Sequence, residues 1–194
     1  MFGAKKQNAE LEKFADLLIV GTEALFFERG EITFTKPAEK ARRKIVEYNG
    51  RMRADGMEKF DNEATYVSAV NFYANEKDMA KGKCLGALIV YIEQTYLPML
   101  MKKLKYPAVD DESEDAMLDS AGTLCNIISG RFKSEISSAG YIELEMSHFM
   151  NYRNSAYDGV GFCFAEYDMF EVAYFIDDKK RMVMEMTIGV VPKR

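Results

Sequence analysis

One asparagine in this sequence sits where an amide side chain could meet another molecule. Asn126 has a glycine four residues before it, Gly122, and another four after it, Gly130. On a helix these are its neighbours one turn away. A glycine inside a helix costs about 1 kcal/mol relative to alanine, so two in one helix ask for a reason. One reason is access: with no side chain on either flank, the backbone of another protein can approach the amide closely. The other reading is an ordinary solvated face with a break in the helix near Ser129-Gly130. Spacing alone does not choose between them.

Most other catalytic arrangements fail on inventory. The chain has one histidine, His148, and no Cys/His trio at metal-ligand spacing, which argues against a zinc site of that type. A Ser-His-Asp arrangement would have to use His148, and no nucleophile motif surrounds any serine. His148 therefore reads as a structural or surface residue. Gly159-Val160-Gly161 lacks the further glycine and the helix of a dinucleotide loop, and reads as a hairpin turn. There is no P-loop.

The element that must position Asn126 runs from Ser113 to Gly140. Met117, Ala121, Leu124, Ile128 and Phe132 form one stripe at helical spacing, with Leu118, Cys125 and Ile136 at its margin. Asp119, Thr123, Asn126, Gly130 and Lys133 form the opposite stripe. The spacing therefore places Asn126 and Thr123 outward, with Leu124 and Ile128 buried against a sheet. Asp111 followed by Glu114 resembles a capping box, Asp115 suits the positive end of the helix dipole, and Gly140 is a terminator.

Within this helix, DSAGTLCNIISGRFKSEI resembles the signature helix of the CheC/CheX family of bacterial chemotaxis phosphatases. The family pattern is a glutamate and an asparagine three apart, then an apolar pair, a small residue, a glycine and an alanine-lysine-serine-like run. Asp119, Gly122, Asn126, Ile127, Ile128, Gly130, Lys133 and Ser134 match it, while Thr123 stands where the family has glutamate.

The resemblance implies an internally duplicated α+β domain whose signature helix lies on the surface, although no repeat is visible in the sequence. It implies action on a phosphorylated CheY-like receiver domain, with Asn126 orienting the water that attacks the aspartyl phosphate. Asp119, Gly122, Thr123 and Gly130 would then contact the partner. The receiver would carry its own Mg²⁺ and lysine, so this chain would need no cofactor of its own. A homodimer paired through a sheet edge is implied as well. Thr123 is short and uncharged and cannot make the glutamate's ion pair with the receiver lysine. Two functions therefore stand side by side: a receiver phosphatase, or a catalytically impaired CheX-like dimeric binding and signalling module. A third reading is an α+β domain with no receiver partner.

Composition narrows the setting. The 194 residues suit one domain with a sizeable core, and the apolar share of 48% with 29% charged residues is ordinary for a soluble protein. A net charge of −5 argues against a nucleic-acid partner. Cys84, Cys125 and Cys163 are scattered in apolar runs and read as reduced core residues of a cytoplasmic protein. The first ten residues lack the apolar stretch of a signal peptide, and the longest apolar runs, such as Leu85 to Ile92, are too short for membrane insertion.

Along the chain, periodicity predicts a helix over 9–28 ended by Gly30, then a short strand from Glu31 to Thr35 closed by Pro37. Residues 38–62 are charged and weakly patterned. They read as a partly helical surface excursion whose cluster of Arg42, Arg43, Lys44, Arg51 and Arg53 is a solvated face. Strands follow at Ala64–Ala74 and Gly82–Glu93 around the turn Asn75-Glu76-Lys77-Asp78, then a helix over 94–104. After the long helix, strands are predicted at Tyr141–Met146, Val160–Tyr167, Phe170–Ile176 and Met182–Val191, with Asp177-Asp178-Lys179-Lys180 as a turn. Short connections between strands imply an antiparallel sheet with helices packed on one face, an α+β class.

Overall fold

Apolar residues recur at helical spacing from Leu11 to Phe26, within one long first helix, α1 (Phe2–Gly30), in a computed structural model that describes residues 2–61, 63–153, 156–163 and 167–194. Helix α1 starts earlier than periodicity predicts. It stops where Glu31 takes a left-handed backbone (φ 53). The predicted strand at 31–35 does not form. The segment instead folds onto the core, with Ile32 buried and the Thr35 amide donating to the Phe175 carbonyl at 3.0 Å.

The charged segment 38–62 is not the helical excursion expected. It forms β1 (Glu39–Lys44), β2 (Glu47–Tyr48) and β3 (Arg51–Asp55). Its cations are held against carboxylates on a neighbouring strand: Arg42 and Lys44 both pair with Asp168, and Arg43 reaches Glu171 at 3.6 Å. That pairing lets so charged a sequence lie on a sheet.

The predicted hairpin forms as β4 (Thr65–Tyr73) and β5 (Gly86–Glu93), with a short helix α2 (Glu76–Ala80) in the connection, capped by the Asn75 side chain accepting from the Asp78 amide. Helix α3 (Leu97–Lys103) and helix α4 (Glu114–Ser138) come next. The remainder comprises β6 (Glu145–Met146), β7 (Met150–Arg153), β8 (Ala156–Val160), β9 (Asp168–Ile176) and β10 (Lys179–Ile188). Gly159 and Val160 end β8 rather than forming a hairpin turn, because β8 continues into pairing with β3. The predicted strand at 160–167 extends into residues outside the described set. The turn before β10 is made by Asp177 and Asp178, both left-handed.

The main sheet is antiparallel in the order β1-β9-β10-β5-β4, with β6 and β7 sharing the outer edge of β4. This order exposes the duplication that the sequence hides. A first half (α1, β1, β2–β3, β4, β5) and a second half (α4, β6–β7, β8, β9, β10) repeat one order of elements. Each half lends strand to the edge of the other: β1 pairs β9, and β6 and β7 pair β4. The central strands β5 and β10 pair across the pseudo-twofold, and so do β3 and β8 in a small second sheet.

Helices α1, α3 and α4 cover one face of the main sheet. Phe14, Leu18, Phe26, Leu124, Ile128 and Phe132 bury there against Val70, Phe72, Val90, Val172 and Met184. The opposite face carries Val67, Ala69, Ile89, Tyr91 and Val183 and is roofed by Met52, Ala54 and Val160 of the small sheet. Beside that second core, Lys59 donates to Glu171 at 2.6 Å and Glu185 at 2.5 Å, and the Tyr91 hydroxyl donates to Glu185 at 2.6 Å. Glu171 and Glu185 stand opposite each other across β9 and β10, so one lysine offsets a cross-strand repulsion. Burial pushes the Glu185 carboxyl up; burial also opposes the Lys59 ammonium, but Glu185 and Glu171 outweigh it and raise its pKa. Among the described residues no helix is long and apolar enough to cross a membrane.

Candidate functional site on helix α4

Helix α4 opens at Ser113, whose Oγ accepts from the Ala116 amide at 3.3 Å, with Glu114 and Asp115 in the first turn. The predicted Asp111–Glu114 box does not form, because the helix starts two residues later, with Ser113 as its N-cap. At the other end Ala139 caps the helix and Gly140 turns the chain with φ 91.

The inner face is fixed as its spacing predicts. Met117, Ala121, Leu124, Cys125, Ile128, Phe132 and Ile136 are all buried. Phe132 meets Phe72 of β4 edge-on at 5.7 Å, and the Cys125 thiol donates to the Ser68 carbonyl at 3.5 Å. A helix seated in this way holds its outer side chains at fixed positions relative to the sheet.

The outer face carries Asp119 and Asn126 exposed, with Thr123 and Gly130 half-buried. Among the described residues, nothing hydrogen-bonds or ion-pairs with the Asn126 side chain. Both the donor and the acceptor of that amide are therefore available. Asp119 lies four residues from Thr123, about 6 Å along the axis at 1.5 Å per residue, so standing in for it would need a different docking angle.

The two glycines turn out to do different things. Gly130 has open space where a side chain would be, since nothing lies within 4 Å of its ideal Cβ position. Beyond it, Lys133, Ser134, Ser137, Glu143 and Met146 border a cavity of about 410 Å³. Gly122, by contrast, is buried, and a Cβ there would fall 2.4 Å from the Phe149 ring and 2.7 Å from Asn151 Nδ2. Gly122 is thus not an open flank of Asn126. It is a close approach that lets β7 pack onto α4.

Asn151 explains why that approach is tight. Its Nδ2 donates to the Leu118 carbonyl of α4 at 2.8 Å, while its Oδ1 accepts from Ser68 Oγ of β4 at 2.5 Å. One amide joins helix, edge strand and inner strand. Nothing in the local run around Asn151 marks it for this role. Ser68 does carry a signal, as a polar residue inside the apolar run of β4 that needs a buried partner.

The arrangement on the page is an antiparallel duplicated sheet with a rigid surface helix presenting a free asparagine. No family model matches the chain, and no curated protein matches it in sequence. Its fold does match solved structures. A chemotaxis protein CheX from Desulfovibrio desulfuricans superposes with a TM-score of 0.58 over 91% of this chain and 99% of its own, at 12% identity. The fold is that of the CheC/CheX-like chemotaxis proteins. A CheC-like superfamily protein from Shewanella sp. PV-4 gives a TM-score of 0.57 at 12% identity, over 89% of this chain and 95% of its own. CheX in a CheX–CheY–BeF3–Mg²⁺ complex from Borrelia burgdorferi gives 0.51 at 10% identity, over 91% and 98%. At such identities the CheX-like core is kept while nearly every side chain differs, so the residues on α4 have to be judged on their own geometry.

Proposed function

We propose that this protein engages a phosphorylated CheY-like receiver domain through the outer face of α4 and hydrolyses its aspartyl phosphate. The observation that carries the reading is Asn126, exposed and unpartnered among the described residues on a helix whose inner face is locked into the core. The CheX-like fold, seen with CheY in the Borrelia burgdorferi complex, supports the choice of partner.

In this reading the Asn126 amide holds a water in line with the phosphorus. The water's oxygen bonds to phosphorus as the acyl-phosphate P–O bond breaks, leaving the receiver's carboxylate and inorganic phosphate. The receiver supplies Mg²⁺ and a lysine, and this chain supplies position. Holding a nucleophile in attack geometry is worth several kcal/mol without an acid or base. The rigid seat of α4 suits that task. Asp119, Thr123 and Gly130 form the surrounding contact surface, with Gly122 acting from beneath by setting how β7 meets the helix. The same reading includes a homodimer formed through a sheet edge, for which β1 presents a six-residue strand at the end of the main sheet.

A second reading rests on Thr123. A half-buried, uncharged side chain three residues before Asn126 cannot pair with a receiver lysine, which favours a binding and signalling module that docks receivers without hydrolysing them. Thr123→Glu separates the two. A well-formed charge-assisted hydrogen bond contributes about 1.5–3 kcal/mol, so the phosphatase reading expects a roughly ten- to hundredfold gain in hydrolysis. Hydrolysis left at the receiver's intrinsic rate, with binding intact, selects the module.

A further inference from the structure

Two of the three thiols in this chain line one cavity, away from α4. Cys84 and Cys163 are free and half-buried, and both line a cavity of about 330 Å³ between the connection that enters β5 and the one that leaves β8. A side chain at Gly161 would lie 3.3 Å from the Cys84 sulfur, and one at Gly189 would lie 2.8 Å from the Cys163 sulfur. The Gly189 amide in turn donates to the Leu85 carbonyl, next to Cys84, at 2.8 Å. Both thiols thus lie beside the backbone junction of Leu85 and Gly189, and the glycines leave them room. Among the described residues, Arg51 and Lys83 are the charged side chains that border the cavity. Both thiols are partly exposed to the cavity, which gives an oxidant access to them.

We infer that Cys84 and Cys163 form an oxidation-sensitive dithiol that reacts with a peroxide and closes to a disulfide. Cys163 attacks first. Burial pushes the Cys84 thiol up to about 11, and that thiol donates to the Gly86 carbonyl at 3.0 Å, which leaves it to resolve. The Cys163 sulfur attacks one peroxide oxygen and the O–O bond breaks. The sulfur keeps a hydroxyl as sulfenic acid, and the departing hydroxide takes the thiol proton as water. Cys84 then attacks the Cys163 sulfur, the S–O bond breaks, and the hydroxyl leaves with the Cys84 proton as a second water. The two thiols lose two electrons, and the peroxide gains them. The bond would tie the β4–β5 connection to the β8–β9 connection. Cys125 serves as an internal control, since it is fully buried on α4 and its thiol is pushed up to about 12.

The test exposes the full chain to hydrogen peroxide, blocks remaining thiols and maps the peptides by mass spectrometry. Expected is a reducible peptide pair joining Cys84 to Cys163, with Cys125 recovered as a free thiol. Cys84→Ser should leave Cys163 as a sulfenic acid that dimedone traps, and Cys163→Ser should leave Cys84 reduced at the same dose. A wild-type map in which Cys163 accumulates sulfinic acid without the joined pair overturns the inference. So does a map in which Cys125 oxidises as fast as the other two. Because wild type alone decides the matter, a variant that fails to fold does not obscure the result. No receiver takes part, so the outcome is independent of the function proposed above.

Discussion

Replacing Gly130 by alanine should make this protein more stable and a worse partner at once. The position is helical, its backbone is not left-handed, and nothing lies within 4 Å of the added methyl group. The methyl therefore meets no clash, while the unfolded chain loses freedom, a gain of about 0.4–1 kcal/mol. For a chain of this size that corresponds to a rise in Tm of about 1–4 °C. If a receiver backbone packs beside Asn126, the same methyl intrudes into that interface at a cost of about 1–3 kcal/mol, roughly a five- to hundredfold loss of affinity. The assay pairs a thermal melt with titration of a receiver carrying beryllofluoride and Mg²⁺. Gly122→Ala is the contrast: its methyl would meet the Phe149 ring at 2.4 Å, so stability should fall by about 1–3 kcal/mol. Destabilisation by Gly130→Ala would refute the open geometry assigned to that position. Stabilisation with receiver affinity unchanged would remove Gly130 from the docking surface.

Three further outcomes are expected. Asn151→Ala leaves the Ser68 hydroxyl without its acceptor and removes the side-chain donor to the Leu118 carbonyl, and should cost about 1–3 kcal/mol in denaturant unfolding. Lys59→Met leaves buried Glu185 without its cation and facing Glu171, which keeps only Arg43 at 3.6 Å, and should cost about 3 kcal/mol, with Glu185→Gln added to the same chain recovering part of it; an additive double mutant would contradict the clasp. Burial opposes ionisation of Asp168, but hydrogen bonds from Lys44 and Arg42 prevail and hold its pKa below the ordinary 3.8. Its contribution is therefore present above that ordinary value and lost as pH falls through the lowered one, so Asp168→Asn should lose less stability than wild type in acid unfolding between about pH 4 and pH 2.

Helix α4 was readable because its signals are local: two opposed stripes at helical spacing place Leu124 and Ile128 inside and Asn126 outside, and the structure keeps them there. The hairpin β4–β5 was readable for the same reason. The charged strand β1 was not, because what makes EKARRK a strand is Asp168 and Glu171, more than a hundred residues later, on the strand it pairs with. The duplication was equally hidden. It is a property of which strands pair, with each half giving edge strand to the other, and no side-chain pattern along the chain records it. The candidate site was legible in part. Spacing alone makes Gly122 and Gly130 equivalent neighbours of Asn126, and only the approach of Phe149 and Asn151 separates a packing glycine from an open one.

The role of Asn126 comes down to one rate comparison. A cognate receiver is phosphorylated on its aspartate with Mg²⁺ present, and loss of the phosphoryl group is followed with excess wild-type protein and with excess Asn126→Ala, each first shown by thermal melt to be folded. The proposed mechanism expects wild type to accelerate hydrolysis over the receiver's intrinsic rate, and the variant to lose about a hundredfold of that acceleration with little change in stability, because the side chain is exposed. Asn126→Ala hydrolysing as fast as wild type would contradict it.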